Sequence, residues 1–113
     1  MTKILNIAEL RSRAFAFVVR ETGLSYVEIC SHRRSSHLVA ARALIVWIAR
    51  TYGPEFLSFP ELGRWLGGRD HTTIMHMWNV VVPRLRAHDA DFRLLCERFA
   101  GQAAMQPETE TCH

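Results

Sequence analysis

A chain of 113 residues, 49% of them hydrophobic, has room for one domain with a real core around a few helices and none for a second. Its formal net charge is +3, with 14 Lys plus Arg against 11 Asp plus Glu and an isoelectric point near 9.1, which leans towards polyanionic partners without identifying one. Cys30, Cys96 and Cys112 stand too far apart for a Cys-x-x-Cys metal site and are an odd number for a disulfide framework, and no apolar run approaches the roughly 20 residues of a membrane span, so a reduced, cytoplasmic setting is expected.

In chain order, Asn6 with Glu9 three residues on predicts a capped first helix over about Ile7 to Thr22, stopped at Gly23. Ser25 with Glu28 repeats the pattern and starts a short second helix through Cys30. A third helix, about Ser36 to Tyr52, places Leu38, Ala41, Leu44, Ile45, Ile48 and Tyr52 on one face and ends at Gly53-Pro54. Ser58 and Glu61 cap a fourth, about Phe59 to Leu66, with Pro60 in its first turn, before Gly67-Gly68. Asp70 caps a fifth that runs to about Val82, where Pro83 kinks or breaks it. A last helix is expected over about Asp89 to Phe99. No strand is indicated, so the expectation is an all-α, compact multi-helix domain over residues 1–100 and a disordered tail over 101–113.

The chemistry concentrates around the fifth helix. At about 100° per residue, Ile74, Met75, Trp78, Val81 and Val82 fall on an apolar side and Thr72, Thr73, His76 and Asn79 opposite. A short helix, a glycine turn and a second helix with small polar side chains on its exposed N-terminal face form a helix-turn-helix that enters the major groove of DNA. Hydroxyls and imidazoles hydrogen-bond base edges, and threonine methyls touch thymine methyls. Phosphate anchors must hold such a helix in register, and Arg33, Arg34, Arg42 and Arg69 are the candidates because guanidinium forks match phosphate oxygens. No acid lies between Glu28 and Glu55, so Arg33, Arg34, Arg42 and Arg50 form a local basic stretch with His32 and His37. A solvated basic face would look the same on sequence alone.

The run Gly67-Gly68-Arg69-Asp70-His71-Thr72-Thr73-Ile74-Met75-His76 resembles the signature of the DNA-binding domain (domain IV) of the chromosomal replication initiator DnaA. Pro60-Glu61-Leu62-Gly63, Arg33-Arg34-Ser35 and Ala41-Arg42 match the same domain in the same order. The resemblance implies a Trp-repressor/DnaA-like fold and double-stranded DNA as partner, at A/T-rich initiator boxes. It implies Arg34 in the minor groove, Asp70, His71, Thr72 and Thr73 at bases in the major groove, and Arg42, Arg69 and His76 at the backbone or its edge. It further implies a role in replication initiation or its regulation, at the nucleoid, with the protein itself or a full-length initiator as a further partner. Ser36, Ala43, Met77, Asn79 and Val80 depart from the family pattern, and each missing phosphate anchor should lower the salt slope by about one. No Gly-x-x-x-x-Gly-Lys-Ser/Thr loop is present, so a free-standing binder without ATPase activity is expected.

Two other classes are weighed against this reading. His71 and His76 with Asp70 are poorly spaced for a zinc or hydrolytic centre, because five residues on a helix separate side chains by about 140°. No catalytic residue, metal or cofactor is therefore expected. A protein-interaction module is the stronger alternative, since Met77, Val80 and Trp47 fall outside the apolar stripes and offer a dimer or partner surface.

Overall fold

The computed structural model describes the backbone of residues 6–111, which is all-α. Its elements are α1 (Ile7–Thr22), α2 (Tyr26–Cys30), α3 (Ser36–Tyr52), α4 (Phe59–Trp65), α5 (His71–His76), a π-helical turn (Met77–Val81), α6 (Val82–His88) and α7 (Ala90–Thr111). Each start in the first half is set by a side-chain cap. Asn6 accepts from the Glu9 N–H, Ser35 from Leu38 and Ser58 from Glu61. Ser25 and Glu28 form the full reciprocal box, with Ser25 N–H donating to Glu28 Oε1 at 2.9 Å and Glu28 N–H to Ser25 Oγ at 3.0 Å.

Helix α3 is the centre of the core. Rather than one stripe, every residue from Ala41 to Ala49 is buried, because α1, α2, α6, α7 and the π turn all pack against it. A helix that is apolar nearly all round has to be enclosed on all sides, and each fully buried Leu or Ile contributes about 1.5–3 kcal/mol. Tyr52 joins Trp47 to Phe99 by edge-on contacts at 5.8 and 5.2 Å, which ties α7 to the end of α3.

Three expectations need correction. Of the kink or break expected at Pro83, the break does not occur: α5, the π turn and α6 follow one another with helical backbone throughout. Lacking an N–H, Pro83 cannot bond the carbonyl four residues back, and the chain widens instead, with Val82 N–H donating five residues back to Met77. The widened turn goes with a rotated buried stripe of Ile74, Met77, Val81 and Val82, while Met75 is 37% exposed. Secondly, Met77 and Trp47, expected at a partner surface, are each 7% exposed, and of that trio only Val80 faces solvent. Thirdly, the backbone of α7 continues past Phe99, where the last helix was expected to end, to Thr111. Cys112 lies outside the described residues.

Cys96 is buried in the core, and burial pushes its thiol up to about 11. In the folded protein it should therefore resist iodoacetamide at about pH 8 and react only on unfolding. Peptide mass spectrometry across a denaturant series reads this directly, and rapid labelling without denaturant would contradict the packing.

Candidate nucleic-acid interface

The interface is built on the turn between α4 and α5. Leu66 leaves the helix, and Gly67 and Gly68 follow at φ +87° and +84°, in the left-handed region that favours glycine. The Gly68 and Arg69 N–H groups both donate to the Gly63 carbonyl at 2.9 Å, closing the turn. Space is as restrictive as dihedral angle here. A Cβ on Gly63 would lie 2.0 Å from the Arg69 carbonyl oxygen, and one on Gly67 would lie 2.3 Å from that of Cys30. The turn therefore rests directly on the end of α2, where Cys30 Sγ also donates to the Trp65 carbonyl at 3.4 Å.

From this turn α5 emerges with Asp70 as its N-cap, accepting the Thr72 N–H at 3.0 Å. The Thr72 hydroxyl donates to the same carboxylate oxygen, and His71 Nδ1 lies 3.8 Å from the other. The Thr72 bonds, followed by the field of His71, hold the Asp70 carboxyl below its ordinary value. Ile74 anchors the helix in the core, leaving His71, Thr72, Thr73 and His76 exposed.

Beside the turn runs the segment joining α2 to α3, and it is held in place by buried arginine. Arg42 on α3 is 3% exposed. Its guanidinium donates to the carbonyls of Ile29 (2.7 Å), Arg33 (2.7 Å), Ser31 (2.9 Å) and Glu28 (3.3 Å). Half-buried Arg69 reaches the same Ser31 carbonyl at 2.6 Å and also donates to that of Leu66. Burial, then the neighbouring Arg69 and, more weakly, Arg34, push the Arg42 guanidinium down from the usual arginine value. Burial and Arg34 act on Arg69 in the same direction. Arginine remains cationic under such pressure, so two positive charges meet on one carbonyl oxygen with a third nearby.

Arg42 thus stands apart from the exposed phosphate anchor expected of it: its fork is committed to four carbonyls. Arg33 and Arg34 are exposed on the segment that Arg42 secures, and Arg33 has Glu28 at 3.6 Å. The structure gathers Arg33, Arg34, Arg69, Asp70, His71, Thr72 and Thr73 around the α4–α5 turn, with His76 exposed at the end of α5. Ser31 is the participant that sequence reasoning missed, and a residue acting through its carbonyl has no side-chain signature. Gly63 did leave a signal, as a glycine within a short helix.

Among the described residues, no group of three or more His, Cys, Asp or Glu is arranged to hold a metal ion, and no helix is long and apolar enough to cross a membrane.

Residues 13–81 match the family model described as the bacterial dnaA protein helix-turn-helix. Over 59 residues, 52% of this chain, the sequence is 42% identical to the chromosomal replication initiator protein DnaA of Rhizobium johnstonii and 41% identical to that of Rhizobium meliloti. The DnaA of Agrobacterium fabrum is 42% identical over the same length. The matched segment spans 12% of each relative's own length. No solved structure matches the chain.

Proposed function

The chain belongs to the bacterial DnaA helix-turn-helix family, and from that premise we propose that it binds double-stranded DNA by sequence, at initiator-box-like A/T-rich sites, as part of replication initiation or its control. The observation that carries the reading is the exposed first turn of α5, with His71, Thr72 and Thr73 standing free of the core while Ile74 fixes the helix beneath them. Small polar side chains so placed reach base edges when the helix lies in the major groove.

In this reading Arg33 and His76 meet the phosphate backbone, together with whatever part of the Arg69 fork stays free. Arg34, on the secured segment, enters the minor groove. Arg42 acts through the segment it holds rather than through phosphate. The work is binding, with no bond made or broken and no cofactor needed.

Titration of labelled duplexes carrying a TTATNCACA-type box or its scramble, across a range of salt, tests the proposal. The box should be preferred, Thr72→Val and Thr73→Val should each weaken that preference, and Arg33→Ala should reduce the salt slope by about one. Equal binding to box and scramble at every salt would sink it. The burial of Met77 and Trp47 removes most of the surface on which a protein-interaction reading stood.

A further inference from the structure

A cleft of about 580 Å³ opens between the end of α1, the start of α3 and the α6–α7 pair. Leu24, Val39, Leu85, Phe92 and Leu95 form its apolar floor, and of these only Phe92 is fully buried. Both α6 and α7 lie beyond residues 13–81, the segment matched to the family. Two opposite charges stand at the mouth without neutralising each other. Arg84 on α6 and Asp91 on α7 are exposed, and among the described residues neither has a hydrogen-bond or ion-pair partner. Asp89, also at the mouth, is engaged by the Phe92 N–H, which donates to its Oδ1 at 3.1 Å. On the outer side of α7, Leu94 is 53% exposed, three residues on from Asp91 and therefore beside it.

In a twofold interface a patch faces a copy of itself, so every feature must find its complement within the same patch. This face carries a hollow and a projecting leucine, a free base and a free acid. A small molecule is the poorer fit, because ligand sites enclose about 70–90% of their occupant and this cleft lies open along its mouth. A helix edge laid into an apolar groove suits such a shape better. We propose that the cleft between α3 and the α6–α7 pair is a self-association surface: Leu94 of each copy enters the cleft of the other, and Arg84 of each meets Asp91 of the other. The exposed apolar part is confined to the cleft and Leu94, well short of the roughly 800 Å² per partner of a standard stable interface, so the dimer is weak and reversible. Because α6 continues from α5 through the π turn, joining two copies here fixes their two α5 helices in one relative orientation.

Sedimentation equilibrium of the full chain, from about 1 µM to about 1 mM and without DNA, tests this separately from the duplex titrations. The wild type should pass from monomer to dimer over that range, and Leu94→Glu should stay monomeric throughout. Arg84→Asp and Asp91→Arg each set like charges against one another twice, so each should weaken the dimer by about tenfold or more. Mixed in equal amounts, these two variants should associate within about threefold of the wild type, since both pairs are again opposite in the heterodimer. Both variants remain net positive, so bulk attraction does not account for such a rescue. All three positions are exposed, and circular dichroism with melting checks that each variant keeps the fold. A wild type that is monomeric at about 1 mM, whether empty or with a small molecule retained in native mass spectrometry, overturns the inference. A dimer that survives Leu94→Glu, or a mixture no tighter than its separate variants, overturns it equally.

Discussion

Replacing Arg42 with alanine should destabilise the fold by about 3 kcal/mol or more, a large fraction of the roughly 5–15 kcal/mol that holds a domain of this size together. The expectation rests on what the deletion leaves behind. The carbonyls of Glu28, Ile29, Ser31 and Arg33 all receive the same guanidinium, and each buried acceptor left without a donor costs about 1–3 kcal/mol unless water reaches it. The Glu28 carbonyl also accepts from the N–H and hydroxyl of Ser31, and that of Ser31 from Arg69, so only the Ile29 and Arg33 carbonyls lose the donor the structure gives them, and the estimate sits well below four full penalties. Lysine should recover little, because a compact ammonium on a flexible stem cannot span four divergent oxygens. Chemical denaturation of the wild type, Arg42→Ala and Arg42→Lys measures the loss. An Arg42→Ala protein as stable as the wild type, but weaker on DNA with a salt slope lower by about one, would return Arg42 to the role of phosphate anchor.

Gly67→Ala and Gly68→Ala should differ sharply although the two residues are neighbours with nearly the same backbone angle. At Gly68 an added Cβ meets nothing within 4 Å, so only left-handed strain of about 1–2 kcal/mol remains. At Gly67 the same strain is joined by a Cβ 2.3 Å from the Cys30 carbonyl oxygen, a backbone atom that moves only if the end of α2 moves. Overpacking against such a wall adds about 1–3 kcal/mol, for a combined loss of about 3 kcal/mol. The second consequence is displacement: a turn pushed off α2 carries α5 with it, so Gly67→Ala should also weaken DNA binding in protein that remains folded. Denaturation midpoints and duplex titrations on the pair read both effects, and equal losses at the two glycines would refute the close approach to Cys30.

Most of the helical framework was legible because its signals are local. Asn6, Ser25, Ser58 and Asp70 all cap in the structure, and the glycine pair marks the turn. What was not legible depends on the chain meeting itself. Pro83 reads as a kink or a break, yet a widened turn absorbs its missing donor with Met77 and Val81 held in the core. Trp47 and Met77 look unpartnered on an ideal wheel, but α3 is enclosed on all sides and the π turn packs directly against it. Arg42 reads as an exposed cation because arginine usually is one, and only the converging carbonyls of a folded segment show why it is inside. The exposure of Thr72, Thr73 and His76 was readable from periodicity alone, since an ideal helix fixes it before the irregularity begins.

The carbonyl of Ser31, shared between Arg42 and Arg69, has a thermodynamic consequence for any encounter with duplex. Flexible basic arms that recognise DNA become ordered only on arrival, and that ordering subtracts from the affinity their interactions would otherwise give. Here the segment bearing Arg33 and Arg34 is tethered beforehand to the same turn that launches α5, so on the proposed reading the minor-groove and major-groove elements would arrive as one preassembled body. Association of that kind should show a heat-capacity change set by the surface covered alone, with little of the entropic penalty that accompanies folding on contact.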